Sequence, residues 1–413
     1  MDVIKGFLND HYIPAMEYDS IFFNWPPSLN LKQLSRQYRL HYQTTIASKA
    51  ATIIRTINQF MGYSNFRRGL NYFLAKYIYK SECSDRLIDT LDEVHKGAVK
   101  FIWNKNIYLP SSPFLSVNLK RCPNGCLMSF SQLPFQTPDH CYLSQYWCIP
   151  ITVTSNDVHP NAKANIIFNG LDLNVFVPFI QDPSFVMLNT DCCSYFLLSY
   201  SPKIFERLIN NINIFSSNEK ISLLHDSYSG LKFKRQKIEI FILLLNLFVQ
   251  EACPHIWREI ARIIKDIIFF SKSEPILKYL KIYCNKLVTI AFVKTRDTYD
   301  TNLIETKLLF SIQSEILVNC GDSETINFLA RMCIERIDHM TSLYPSLFYP
   351  AYAALLSNND SKIFVKILNL YSQLDNYEEK MAILHSMDVI SNPELLQQLF
   401  GLILNVIVFH LFN

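Results

Sequence analysis

From Thr44 to Lys80 the apolar positions recur every three to four residues, through Ile46, Ile53, Ile54, Ile57 and Phe60 and then Phe66, Leu70, Phe73, Leu74 and Tyr77. That spacing lines one face of a helix, and Gly62 between the two runs predicts a helix pair joined there. A further helix is expected from about Ser84, a candidate N-cap with Asp85 in the first turn, through Leu87, Leu91 and Val94 to Trp103. The period then changes. Pro110, Ser111, Ser112 and Pro113 interrupt any helix, and strand-length segments follow at 114–121, 126–136, 146–155, 164–169, 173–179, 184–189 and 194–200. Short strands at this density predict a β-sandwich. Beyond Pro202 the helical period returns, with apolar runs at 238–249, 260–270 and 303–318. Repeated helix pairs of this kind suggest a solenoid-like stack, although no fixed-length repeat recurs. The expected fold is mixed and mainly α, divided as a helical segment over 1–108, a β-sandwich over 109–201 and a helical domain over 202–413.

Composition supports a folded, multidomain chain. The 413 residues are 49% hydrophobic and 18% charged, outside the polar range of disorder. Thirty-nine basic against 36 acidic side chains leave no field of the kind that drives non-specific nucleic-acid binding, so no nucleic-acid partner is expected. The basic positions Arg262, Lys265, Lys272, Lys278, Lys281 and Lys286 alternate with Ile and Tyr and read as a solvated helical face. Eleven cysteines leave at least one unpaired within the chain, and none stands in a Cys-x-x-Cys spacing, so buried thiols are expected. No signal-peptide core stands near Met1. The apolar runs 238–249 and 399–412 are shorter than the about 20 residues a span requires, so buried helices and no transmembrane span are expected.

Several phrases, in order, resemble the gluzincin zinc aminopeptidases of the aminopeptidase N and endoplasmic-reticulum aminopeptidase type. Residues 44–90 are similar to the stretch after that family's zinc site, with Gly62, Phe66, Gly69 and Leu70 keeping its Gly-x-x-x-Phe-x-x-Gly-Leu spacing. Residues 103–110 resemble W-T-x-Q-x-G-Y-P, with Tyr108 in place of glycine, and residues 127–135 resemble I-T-L-x-Q-x-R-F. Trp147, Ile149 and Pro150 look like W-x-I-P, and residues 189–201 look like N-x-x-x-x-G-Y-Y-R-V-N-Y-D, with Ser194 and Leu197 at the Gly and Arg. Residues 223–228 and 251–257 resemble L-L-N-D-A-F and E-x-x-Y-V-P-W. The resemblance implies the last helices of a catalytic domain, a β-sandwich and part of a helical C-terminal domain.

The resemblance also implies zinc in relatives, held by His-Glu-x-x-His because histidines four apart share a helix face and the Glu between them serves as general base. None of the ten histidines here is followed by Glu, and no two lie four apart. The family's G-x-M-E-N segment has no counterpart either, and both elements would belong to sequence before Met1. No metal site and no cofactor are therefore expected in this chain. In I-S-Y-x-K-G the family's tyrosine hydrogen-bonds the oxyanion; aligned through Lys49, that position is Ala47, whose methyl donates nothing. Losing one oxyanion donor costs about 2.7 to 4 kcal/mol of transition-state stabilisation. Tyr42 would replace it only if the local alignment slipped, and Lys49 then reads as a helix-surface residue. His225 beside Asp226 reads as a packing or capping pair, since sequence neighbours on a helix do not face each other. Trp103, Trp147 and Trp257 read as core aromatics.

The expected function is an aminopeptidase-like protein without activity in this chain, either a pseudoenzyme or a module binding a peptide or protein partner. The alternative is a fragment of an active zinc metalloaminopeptidase. Substrate-binding residues are not assigned. Relatives are often membrane-anchored or secreted, so Asn359 in Asn-Asp-Ser361 matches the glycan acceptor pattern if the chain takes that route.

Overall fold

A chain alternating apolar and polar positions at helical spacing packs its helices pairwise, and the computed structural model begins this way. It describes residues 6–21, 36–134, 145–156, 164–178, 183–271, 273–296, 303–339 and 341–412. A π-helical turn at Leu8–Tyr12 leads into α1 (Ile13–Ile21). Next come α2 (Arg36–Met61) and α3 (Tyr63–Lys76), joined at Gly62, whose φ of 75° is open to glycine at no steric cost. α4 (Ser84–His95) crosses α3 at Gly69, where a Cβ would stand 2.6 Å from Leu91 Cδ2. The helix expected to run unbroken to Trp103 is two. Lys96, Gly97 and Ala98 take φ of 63°, 109° and 75°, left-handed values that a right-handed helix cannot continue, and α5 (Val99–Ile107) starts afresh. Ser84 is not the cap either; Cys83 holds that position. Ile53, Ile57, Met61, Leu91, Ile102 and Trp103 form the core of this helical group.

The strands follow as β1 (Pro113–Cys122), β2 (Gly125–Pro134), β3 (Cys148–Ser155), β4 (Ala164–Asn169), β5 (Asp172–Pro178), β6 (Val186–Leu188) and β7 (Leu197–Tyr200). They make a four-stranded sheet in the order β5-β2-β1-β7 and a three-stranded sheet in the order β4-β3-β6. Only the β1–β7 pairing is parallel among these strands. The period of two sorts the side chains. Val117 opposite Phe130 and Leu119 opposite Met128 face the core, while Ser116 opposite Ser131 and Asn118 opposite Ser129 face away. Phe130 meets Phe168 of the second sheet, ring centroids 6.0 Å apart. Buried Gln132 holds the chain entering β3, accepting from the Trp147 N–H at 3.0 Å and donating to the Trp147 carbonyl at 3.1 Å.

α6 (Pro202–Asn210), α7 (Ser217–Lys232) and α8 (Ile238–Phe248) come next. A capping box opens α7: Ser216 Oγ accepts from the Glu219 N–H, and Glu219 Oε2 accepts from the Ser216 N–H. The chain divides into two compact units, Met1–Leu244 and Leu245–Asn413. Among its described residues the second unit is entirely helical. It comprises α9 (Pro254–Phe270), α10 (Glu274–Arg296), α11 (Ile304–Cys320), α12 (Ser323–His339), α13 (Phe348–Leu356), α14 (Ser361–Gln373), α15 (Tyr377–Ser386) and α16 (Pro393–Phe412). α13 is buried almost throughout, because Ala351, Ala353 and Ala354 admit its neighbours α12 and α15 closely. The turn into α14 is fixed by Asn359, at φ 53°, whose amide donates to the Ser357 carbonyl and Ser391 Oγ and accepts from the N–H groups of Ser391 and Asn392. No helix among the described residues is long and apolar enough to cross a membrane. The protein is thus mainly helical, with two small sheets between the helical segments.

Candidate functional site

α2 carries Ala47, Ser48 and Lys49 in succession. Residues two apart on a helix lie about 200° apart around its axis, so Ala47 and Lys49 take opposite faces. Ala47 is exposed and Lys49 is 2% exposed, so the lysine expected on the helix surface is instead buried. Tyr42 lies on α2 outside the residues whose side chains are described.

Burial of an ammonium requires compensation, and α1 supplies it. Lys49 Nζ stands 2.8 Å from Asp19 Oδ2 and donates to the Ser111 carbonyl at 2.7 Å. Tyr195 donates its hydroxyl to the same Asp19 oxygen at 2.8 Å, and the ammonium lies 5.6 Å from the Tyr195 ring centroid. Burial, and then the Asp19 charge, push the Tyr195 hydroxyl well above its ordinary range, so it remains a donor. Tyr12 stacks edge-on against Tyr195, and its hydroxyl sits 3.0 Å from the carbonyls of both Ser194 and Phe196. The backbone at this point is held in left-handed turns at Asn189, Asp191 and Cys192, and Asn189 exchanges hydrogen bonds with both backbone groups of Ser194. Arg55, two helical turns beyond Ala47, donates to the Asp191 carbonyl.

This constellation of carboxylate, ammonium and phenol has the ingredients of acid–base chemistry but is closed to water. Asp19 is 7% exposed and Tyr195 4%. Its groups are spent on each other and on backbone carbonyls, so what it does chemically is fasten α1 and α2 to the Ser111 linker and the chain entering β7. Nearby, burial pushes the Cys192 thiol up to about 12, which leaves no thiolate for nucleophilic work. Asp226 follows the same logic: burial raises its carboxyl well above the usual range, and it accepts from the Leu198 N–H and the Ser222 hydroxyl.

The other singled-out residues fall where packing sends them. Trp103, Trp147 and Trp257 are 5%, 1% and 0% exposed, as expected of core aromatics. Among the ten described cysteines, Cys126, Cys148, Cys192, Cys193, Cys284 and Cys333 are buried, while Cys83 is exposed. Arg262 departs from the expected solvated face, because it pairs through two nitrogens with the buried Glu259. Lys265 pairs with Asp388 at 3.3 Å, and Lys272 lies outside the described residues. Asp19 and Tyr12 were invisible to motif reasoning, since the stretch Ile13–Ile21 also carries Glu17 and nothing local sets Asp19 apart. Among the described residues no three His, Cys, Asp or Glu side chains gather as metal ligands.

Residues 185–408 match the ERAP1-like C-terminal domain, and residues 1–106 match the peptidase family M1 domain. Glutamyl aminopeptidase of Homo sapiens is 21% identical over 369 residues, covering 86% of this chain and 38% of the relative. Aminopeptidase 2 of Candida albicans is 22% identical over 416 residues, covering 97% and 44%. Tricorn protease-interacting factor F2 of Thermoplasma acidophilum is 23% identical over 260 residues, covering 63% and 31%. The chain thus spans less than half the length of these relatives. Helical ends, sandwich and helical second unit together with these matches place the protein in the M1 family of gluzincin aminopeptidases.

Proposed function

We propose that this chain is a non-cleaving member of the aminopeptidase family that holds a peptide or partner segment. The observation carrying the reading is Ala47. It stands where the resemblance places the phenol that binds the oxyanion, it faces solvent, and Lys49, the residue that fixes the alignment, is committed to a buried ion pair. Tyr12 and Tyr195, packed around Lys49, are engaged with backbone carbonyls and Asp19. The second unit keeps a cavity of about 740 Å³ between α9 and α11, with an apolar floor including Ile264 and Ile316 and polar margins at Lys265 and Asn319. A short peptide segment fits that space. The test is zinc content by elemental analysis together with hydrolysis of aminoacyl-coumarin substrates by the purified chain. Neither metal at one equivalent nor turnover is expected, and finding both overturns the proposal.

A second reading is favoured by the coverage of 38% and 44%: these residues form the carboxyl-terminal part of a longer zinc aminopeptidase that removes N-terminal residues. An immunoblot of the native source separates the two, since this reading requires a product of more than twice 48.2 kDa. In such a product Ala47→Tyr raises kcat by about 10²- to 10³-fold, the worth of an oxyanion donor.

A further inference from the structure

The outer face of the four-stranded sheet is a field of small polar side chains. The register places Ser199, Ser116, Ser131 and Asp172 in one row across β7, β1, β2 and β5. Asn118, Ser129 and Asn174 make the next row. At one end this face is closed, because Phe114 packs against Phe233 and lies beneath the Arg235 guanidinium, 4.8 Å from the ring centroid. From there an open groove of about 1500 Å³ runs along the strands, bounded on the far side by the start of α6.

Charge distinguishes this groove from the rest of the surface. The whole chain is nearly balanced at 39 basic and 36 acidic residues, yet the groove is lined by Lys120, Arg121, Lys203, Arg207 and Arg235 against one acid, Asp172. Arg207 is partly engaged, donating to the Pro183 carbonyl. Lys120, Lys203 and Arg235 are exposed and stand at separate points of the rim. A concave wall with one sign of charge focuses its field into the cleft. The serine and asparagine rows offer donors and acceptors in alternation along extended strands, as a peptide main chain lying over them requires, while an aromatic stacking platform is lacking among the groove-lining positions of these two rows.

We infer that this sheet face is a binding site for an acidic peptide segment in extended conformation. Its main chain lies over the Ser and Asn rows, and its carboxylates meet Lys120, Lys203 and Arg235. The inference stands apart from the question of peptidase activity, since the charged residues it rests on, Lys120, Lys203 and Arg235, lie outside the aminopeptidase-like phrases.

The test is fluorescence anisotropy of a labelled octa-glutamate peptide with the full chain, with octa-glutamine and a heparin hexasaccharide as comparators. Octa-glutamate is expected to bind at least about tenfold more tightly than octa-glutamine and to weaken as salt rises. Lys120→Glu with Lys203→Glu should abolish the preference at unchanged melting temperature, and Lys120→Arg with Lys203→Arg should retain it. Binding of octa-glutamate that survives the double Glu variant overturns the assignment. So does heparin binding without octa-glutamate binding, which makes the groove a sulfated-glycan site, and so does failure of every probe to bind.

Discussion

Among the described residues each unit buries a carboxylate that accepts from a cation and a phenol, and the two arrangements differ in what they connect. In the first unit Asp19 takes Lys49 and Tyr195, partners 30 and 176 positions away in the chain. In the second unit Glu379 takes Arg336 at 3.0 Å and Tyr352 at 2.6 Å, all within 43 positions. The first ties a helix near the amino terminus to the far end of the sandwich, closing long loops whose ordering entropy grows slowly with length. The second clips neighbouring helices together, as a stack with near-neighbour contacts allows. The same chemistry therefore acts as a long-range fastener in one unit and a local one in the other.

Removing the carboxylate of the long-range fastener is expected to cost most. Asp19→Ala leaves the Lys49 ammonium buried without a counter-charge, which destabilises by about 3 to 5 kcal/mol. Urea denaturation measures the loss, and hydrogen exchange should rise together in α1, α2 and residues 194–198. Asp19→Leu combined with Lys49→Met should recover most of the loss, since an apolar pair replaces a buried ion pair at little net cost. Glu379→Ala is expected to cost less, about 2 kcal/mol, because Arg336 at 15% exposure can turn toward water. Exchange should then rise only in α12, α13 and α15; a spread beyond unit 2 would erase the contrast between the fasteners.

Proton linkage sharpens the comparison further. Burial raises the carboxyls of both Asp226 and Glu315. The unfolded chain releases these protons first, so the folded state binds more of them, and stability falls as pH rises from about 4 toward the folded values. Asp226→Asn should flatten that slope in the unfolding midpoint of the first unit and Glu315→Gln in that of the second. A slope unchanged in both variants assigns it to other groups. The smallest effects belong to the caps. Ser216→Ala and Asn376→Ala, each removing an acceptor from a helix start, should cost about 1 kcal/mol apiece in thermal unfolding, with no difference between units.

Much of the architecture was legible from periodicity. The joint at Gly62, the onset of strands after Pro113 and the helical runs beyond Pro202 all follow from spacing that the physics of two regular backbones imposes. The break at Lys96 and Ala98 was not legible, because only Gly97 advertises a left-handed backbone, and its neighbours adopt it under tertiary constraint. Lys49 was misplaced for a related reason. Its burial depends on Asp19, thirty residues upstream, and on the carbonyl of Ser111, and neither is implied by the local helical pattern. The alternation of Ser116, Asn118, Ser129 and Ser131 was present in the sequence, but the rows they form needed the pairing register, which long-range contacts decide.

The seclusion of Lys49 also gives the protein an internal gauge. Amine-acylating reagents need solvent access to an uncharged nitrogen, so exposed Lys203 should be tagged early, whereas this side chain should acquire its tag only when α1 swings off α2. Mass spectrometry of that one tryptic site would then count how often the amino-terminal clasp opens, without any probe having been engineered in.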